Sequence, residues 1–111
     1  MSSVSTHVLD TSLGRPASGI PVTLEDSSTG VALGAGVTDA EGRVRSISRE
    51  GLVLAPGDYR LRFDVDAYFV RQGRDAFYPE ITIRFRVGGA AEHYHVPLLL
   101  SPFGYSTYRG S

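Results

Sequence analysis

The segment Glu80–Val87, with the sequence EITIRFRV, decides the fold class because its side chains alternate between apolar and polar or charged. A period of two places successive side chains on opposite faces of a strand, so one face can pack on a core while the other meets solvent. The segment Tyr59–Val65, YRLRFDV, repeats this pattern. Two such segments predict a half-buried antiparallel sheet.

Further strands are predicted on both sides of these two segments. Alternation and a high content of β-branched and aliphatic residues indicate strands at residues 5–10, 20–26, 31–38 and 92–100, with a short closing strand near Thr107. Turn-forming residues separate them, as in Asp39–Gly42 (DAEG). Many short strands with turns between them are typical of a two-sheet sandwich.

One segment, Asp64–Gly73, departs from the period of two. Its apolar residues Val65, Tyr68 and Phe69 stand at helical offsets, and Asp64 or Asp66 is available as an N-terminal cap. We therefore expect an all-β, antiparallel two-sheet sandwich with one short helix, formed as a single domain over residues 1–111.

The composition excludes several classes of function. The chain is 41% hydrophobic and 21% charged with a formal net charge of −1, so it lacks the basic excess that nucleic-acid binding requires. It contains no cysteine, and all 11 of its basic residues are arginine. Thiol nucleophiles, thiolate metal sites and Schiff-base lysines are therefore excluded. Since no apolar run is long enough for a signal core or a membrane span, we expect a cytoplasmic protein with no membrane partner.

The three histidines, His7, His93 and His95, all fall in predicted strands. Alternation points His93 and His95 at the same face. Two interpretations stay open on these residues alone. One is a zinc half-site at His93 and His95 with His7 as a possible further ligand, although no carboxylate has a convincing spacing. The other is a metal-free acid/base site in which an arginine holds an anion.

The last segment, Tyr105–Ser111 (YSTYRGS), places two tyrosines and an arginine directly after an apolar strand. A chain terminus is usually polar and frayed. Hydrogen-bonding side chains in this position indicate that the terminus contributes to a site.

Taken together, these segments resemble the transthyretin-like (prealbumin-like) protein family and, within it, the 5-hydroxyisourate hydrolases. The resemblance covers nearly the whole chain and rests on residues 6–10 (THVLD), 14–16 (GRP), 38–43 (TDAEGR), 67–69 (AYF), 93–105 (HYHVPLLLSPFGY) and 108–111 (YRGS). The terminal YRGS is the most specific of these, because it separates the hydrolases from the hormone-carrying transthyretins of the same fold.

The resemblance implies a homotetramer, built as a dimer of dimers, with active sites where the dimers meet. It assigns the catalytic residues to His7, Arg43, His95 and Ser111 and substrate binding to His7, Arg43 and Tyr108, with no metal and no other cofactor. Ser111 or its carboxylate could fix the tautomer of a histidine. Whether His93 or Arg45 also contributes stays open.

The implied reaction is the hydrolysis of the small molecule 5-hydroxyisourate to 2-oxo-4-hydroxy-4-carboxy-5-ureidoimidazoline in urate breakdown. A histidine would activate water, and Arg43 would stabilise the negative charge that develops on the substrate. The alternative is a transthyretin-like carrier that binds a small planar ligand without chemistry.

Overall fold

The computed structural model describes residues 3–47, 52–88 and 92–111. Its strands and its helix follow the chain in the order β1 (Ser3–Asp10), β2 (Arg15–Pro16), β3 (Pro21–Asp26), β4 (Ala32–Val37), β5 (Arg43–Val44), β6 (Gly57–Asp64), α1 (Asp66–Val70), β7 (Glu80–Val87), β8 (His93–Ser101) and β9 (Gly104–Thr107).

The strands form two sheets. The first has the order β2-β1-β8-β9 with β5 also paired to β1, and the second has the order β4-β3-β6-β7. The predicted two-sheet sandwich with one short helix is confirmed, with a correction to strand direction: β1 and β8 are parallel, whereas the other pairs are antiparallel. β1 and β8 come from opposite ends of the chain, so no hairpin constrains their direction.

Alternation within each strand builds the core. In β6 the side chains of Tyr59, Leu61 and Phe63 are buried between the sheets. Arg60 and Arg62 lie on the outer face, where both contact the carboxylate of Glu25, at 2.6 and 3.2 Å. The prediction of one apolar and one charged face is therefore confirmed for this strand.

Helix α1 buries Tyr68 and Phe69. Its N-cap residue is Val65, which makes no side-chain capping hydrogen bond, so the prediction of a cap by Asp64 or Asp66 is wrong. Asp66 instead lies in the first turn, where a carboxylate interacts favourably with the positive end of the helix dipole. Within the described ranges, no helix is long and apolar enough to cross a membrane.

The two-residue strand β5 was not predicted, and it positions part of the site. It pairs with β1 so that Arg43 lies opposite His7. The preceding turn forms around Asp39, whose Oδ1 accepts hydrogen bonds from the backbone N–H groups of Glu41 and Arg43. Gly42 has a φ of +77°, and a Cβ there would overlap the backbone oxygen of Val8, so this turn requires glycine.

Candidate active site

Polar side chains of β1 and β8 gather on the face of the first sheet that points away from the core. The parallel register places Ser3 opposite His93 and Ser5 opposite His95. The alternate residues of β1, such as Val4 and Val8, are fully buried. The shared face that alternation predicts for His93 and His95 is therefore also the face of Ser3 and Ser5.

A pocket of about 310 Å³ opens on this face. It is lined by Ser5, Thr6, Arg43, Val44, Arg45, His93, His95 and Ser111. Of the residues expected at the site from the resemblance, Arg43, His95 and Ser111 line this pocket. His93 and Arg45, whose contribution was left open, line it as well.

The other two expected residues lie beside the pocket rather than in its lining. His7 is the cross-strand neighbour of Arg43. Tyr108 is 57% exposed and lines an adjacent groove of about 300 Å³, together with Tyr94, Arg109 and other residues. His95 lines both cavities, so it lies where they adjoin.

His95 has one engaged and one available ring nitrogen. Its Nδ1 is hydrogen-bonded to Ser5 Oγ at 2.8 Å, and its Nε2 makes no hydrogen bond to any residue that the structure describes. Burial lowers the pKa of His95 below its usual value of 6.5, and the nearby charges of Arg43, His93 and His7 lower it further. The imidazole is therefore neutral at neutral pH, which a general base requires.

His7 has a defined tautomer. Its Nε2 lies 2.8 Å from the backbone oxygen of Glu41. Because a carbonyl oxygen only accepts hydrogen bonds, Nε2 must carry the proton, and Nδ1 holds the lone pair when the ring is neutral. The turn that positions Arg43 thus also orients His7.

The two arginines of the pocket differ in their partners. Arg45 forms an ion pair with Glu41 at 3.3 Å, and both side chains are largely exposed. The guanidinium of Arg43 makes no hydrogen bond or ion pair within residues 3–47, 52–88 and 92–111. Arg43 is therefore the arginine of this pocket that is available to hold an anion bidentately.

The last residues of the chain are fixed against β8 by several contacts. The backbone N–H of Gly110 donates to the backbone oxygen of His95 at 2.9 Å. A Cβ at position 110 would overlap Cδ2 of the His95 ring and would lie 3.2 Å from its Cγ. The Arg109 guanidinium stacks 5.0 Å from the centre of the Tyr94 ring. Glycine at position 110 thus allows the terminal backbone to pass close to the His95 ring, and Ser111 reaches the pocket.

The hydrogen bonds of the histidines bear on the metal interpretation. His93 directs Nδ1 to Ser3 Oγ, at 2.5 Å, and Nε2 to Ser5 Oγ, at 2.9 Å. A metal half-site at residues 93 and 95 would need one of these bonds to break. Among the described residues, no group of three His, Asp or Glu side chains is placed to hold a metal ion.

Ser5 and Ser3 are site residues that the sequence interpretation missed. The available signal was the alternation of polar residues Ser3, Ser5 and His7 in β1 with apolar or buried residues between them. It could have placed the serines on the histidine face, but their contacts depend on the parallel pairing with β8.

The similarity of this chain to known proteins identifies its family. The family model described as HIUase/Transthyretin family matches residues 4–110. The chain belongs to this family. The curated 5-hydroxyisourate hydrolase of Salmonella dublin is 46% identical over 110 residues, covering 97% of this chain and 80% of the relative. That of Caulobacter vibrioides is 42% identical over 117 residues and covers the whole of both chains.

Solved structures of the family superpose closely on this one. The 5-hydroxyisourate hydrolase of Klebsiella pneumoniae has a TM-score of 0.86 and 39% identity, covering 98% of this chain and 99% of its own. Sea bream transthyretin in complex with thyroxine also has a TM-score of 0.86, with 30% identity, covering 97% of this chain and 94% of its own. The transthyretin-like fold is therefore confirmed, and the family includes enzymes and a hormone-binding protein.

Proposed function

We propose that this protein hydrolyses 5-hydroxyisourate to 2-oxo-4-hydroxy-4-carboxy-5-ureidoimidazoline in urate breakdown. The observation that carries the proposal is that one pocket holds a neutral His95 and Arg43, and that neither the His95 Nε2 nor the Arg43 guanidinium has a partner among the described residues. Relatives at 42–46% identity that carry the name of this hydrolase give it independent support.

The proposed chemistry begins with water. His95 Nε2 accepts a proton from the water molecule as its oxygen bonds to the ring carbonyl carbon of the substrate. The carbon–nitrogen bond then breaks, and the leaving nitrogen takes the proton back from Nε2. Arg43 holds the substrate oxygens and stabilises the negative charge that develops in the transition state.

The other expected residues act around this centre. His7, oriented by Glu41, lies next to Arg43, and we assign it to binding and orienting substrate and water. Ser111 lines the same pocket and offers a hydroxyl to the substrate. Tyr108 offers a planar ring and a hydroxyl from the adjacent groove.

We also propose that the reaction needs no metal or other cofactor, because a neutral imidazole and a guanidinium supply the base and the charge stabilisation. Activity should survive dialysis against a strong chelator. Loss of activity on chelation with recovery on addition of zinc would instead support the metal half-site at His93 and His95.

The proposed assembly is a homotetramer. Strands β7 and β9 each pair with a single neighbour among the described strands, so they are sheet edges on which a second copy can add. The pocket opens on the outer face of the first sheet, where a second dimer can cover it. Light scattering should give about four times the chain mass, and an active monomer would contradict the assembly.

The cytoplasmic location also stays a prediction.

The deciding experiment is an absorbance assay on freshly generated 5-hydroxyisourate, with its uncatalysed decay as the control. The purified protein should accelerate decay, and the ultraviolet spectrum should identify the product. An unchanged decay rate would contradict the proposal. It would favour the carrier alternative, because this fold has the same TM-score to a transthyretin in complex with thyroxine as to a 5-hydroxyisourate hydrolase. A thyroxine-binding measurement would then test that alternative.

A further inference from the structure

Four side chains on the outer face of the first sheet form one continuous hydrogen-bonded chain. Ser3 Oγ bonds His93 Nδ1 at 2.5 Å, His93 Nε2 bonds Ser5 Oγ at 2.9 Å, and Ser5 Oγ bonds His95 Nδ1 at 2.8 Å. The in-register parallel pairing of β1 with β8 produces this chain, since it places a serine beside each histidine.

The single proton of the Ser5 hydroxyl couples the tautomers of His93 and His95. Ser5 has one O–H, so it can donate to only one of the two imidazoles and must accept from the other when both bonds are made. If His95 Nδ1–H donates to Ser5, then Ser5 donates to His93 Nε2, and His93 Nδ1–H donates to Ser3. In the opposite direction every donor and acceptor is exchanged, and neutral His95 carries its proton on Nε2.

These two directions have different chemical consequences at the pocket. In the first direction neutral His95 presents a lone pair on Nε2, so it can take a proton from water. The same direction suits the imidazolium that forms afterwards, because its Nδ1–H still has Ser5 as acceptor. In the opposite direction Nε2 is a donor and cannot act as a base.

We propose that Ser5 and His93 are positioning residues that hold His95 in the Nδ1–H tautomer, so that its Nε2 faces the substrate as a base. This inference rests on the proposed function for its catalytic consequence, while the tautomer itself is a property of the free protein. Ser5 is 7% exposed, so water does not readily replace its hydroxyl. Ser3 and His93 lie at the exposed end of the chain of bonds.

The first test is NMR of the imidazole nitrogens in the protein without substrate. The wild type should show neutral His95 protonated on Nδ1. Ser5→Ala should give a mixture of tautomers, and Ser5→Thr, which keeps the hydroxyl, should restore the single form. Ser101→Ala is the matched control: it removes another serine hydroxyl near these strands, one that donates to the backbone oxygen of Gly104, and should leave His95 unchanged.

The second test is turnover of 5-hydroxyisourate by the same variants. Partners that orient metal-bound histidines are typically worth 10- to 100-fold, and we expect Ser5→Ala to lower kcat by roughly this factor with little change in KM. Ser5→Thr should recover most of the loss. His93→Gln, whose amide oxygen can accept from Ser5, should lose less than His93→Ala.

The outcomes separate this inference from the proposed function. If wild-type His95 is protonated on Nε2, or if Ser5→Ala changes neither the tautomer nor kcat, the inference is overturned while the hydrolase activity stands. If the wild type does not turn over the substrate, the proposed function fails, and the NMR result still decides the role of Ser5. Should Ser5→Ala not fold, His93→Ala and His93→Gln decide the question, and the same His95 tautomer and kcat as in the wild type in both variants would overturn the inference.

Discussion

Strand β1 carries a polar cluster at each end, and the two clusters differ in how fully their hydrogen-bonding groups are engaged. At its last residue the carboxylate of Asp10 is fully buried. One oxygen accepts from Ser12 and the backbone N–H of Leu13, and the other accepts from Tyr68 Oη at 2.7 Å and from Arg74 Nη2 at 2.6 Å. At the other end, His95 Nε2 and the Arg43 guanidinium have no partner in the described parts of the chain.

This difference separates a structural cluster from a functional one. A buried polar group that lacks a hydrogen-bond partner costs free energy. The Asp10 cluster satisfies nearly all of its hydrogen-bonding groups, and among the described residues only Arg74 Nε is buried without a partner. The pocket groups are partly open to water, so their free hydrogen-bond donors and acceptors can bind a ligand. We therefore expect changes near Asp10 to lower stability, and changes at His95 or Arg43 to lower activity.

The largest expected effect is on turnover. His95→Ala or Arg43→Ala should each lower kcat by about two to four orders of magnitude, the scale of a lost base or charge-stabilising group. Folding should be spared, because both side chains lie outside the core. Steady-state kinetics and thermal melting of matched samples measure the two effects.

His93→Ala is the control for this first prediction. His93 lines the pocket, but both of its ring nitrogens are hydrogen-bonded to serines, so neither serves as the base and its loss should be milder. Equal losses at residues 93 and 95 would show that the roles of the two histidines are wrongly divided.

The second prediction concerns stability. Asp10→Asn removes the charge that pairs with Arg74 and should lower the free energy of unfolding by about 3–5 kcal/mol, the usual cost of breaking a buried ion pair. Chemical denaturation at neutral pH measures it. Asp26→Asn is a matched control, since Asp26 accepts the same kind of turn hydrogen bonds from Ser28 and Thr29. It pairs with no arginine in the described ranges, so its effect should be smaller.

Acid should affect the same cluster in a defined range. Burial raises the pKa of Asp10, but hydrogen bonds from Ser12, Arg74 and Tyr68 outweigh it and lower the pKa to about 2 from the ordinary 3.8. The carboxylate therefore contributes its full stabilisation above pH 3.8, and about 2 kcal/mol is lost as the pH falls toward 2. Asp10→Asn should lack this component of the acid dependence; an identical dependence in both proteins would contradict the assignment.

The third prediction concerns the terminus. A chain ending at Thr107 loses Tyr108, Arg109, Gly110 and Ser111, while the core between the sheets remains. Gly110→Ala places a Cβ against the His95 ring and should lower kcat roughly 10- to 100-fold, since a displacement of about 1 Å can have that effect. The truncated chain should lose at least as much. A C-terminal tag should also reduce activity compared with an N-terminal tag.

Gly88→Ala is the control for the glycine, because a Cβ there meets no heavy atom within 4 Å. It should melt and turn over like the wild type. Full activity in the chain ending at Thr107 would remove the terminal signature from the site, and the hydrolase proposal would then depend on the histidines and Arg43.

The sequence predicted what depends on local periodicity. The segments Tyr59–Val65 and Glu80–Val87 correspond to β6 and β7 within a few residues, and the short helix lies inside the predicted range. The strands β2 and β5 were missed because two residues are too short for an alternating pattern. The direction of β8 relative to β1 was also missed, since alternation is the same in parallel and antiparallel sheets.

For the site, the sequence predicted residues but not their contacts. The face shared by His93 and His95 follows from alternation. The bridging role of Ser5 requires the register between strands about 90 residues apart in the chain, and the Asp10–Arg74 pair likewise joins distant segments. Alternation places Arg43 and Arg45 on the same face and the resemblance selects Arg43, whereas the ion pair of Arg45 with Glu41 is a structural difference that the sequence did not predict.

The smallest expected effect concerns the pH midpoint at which kcat/KM falls on the acid side. Burial, and then the charges of Arg43, His93 and His7, lower the pKa of His95 below 6.5. The base works when it is neutral, so kcat/KM should fall only as the pH drops through a midpoint below 6.5. Arg45 and Ser111 also line this pocket. Salt screens interactions between exposed charges but does not change the burial of the His95 ring. We therefore expect added salt to raise the midpoint slightly while leaving it below 6.5.

The measurement is kcat/KM across pH at two salt concentrations, with uncatalysed substrate decay subtracted at each pH. A midpoint at or above 6.5 would contradict the assignment of His95 as the desolvated base.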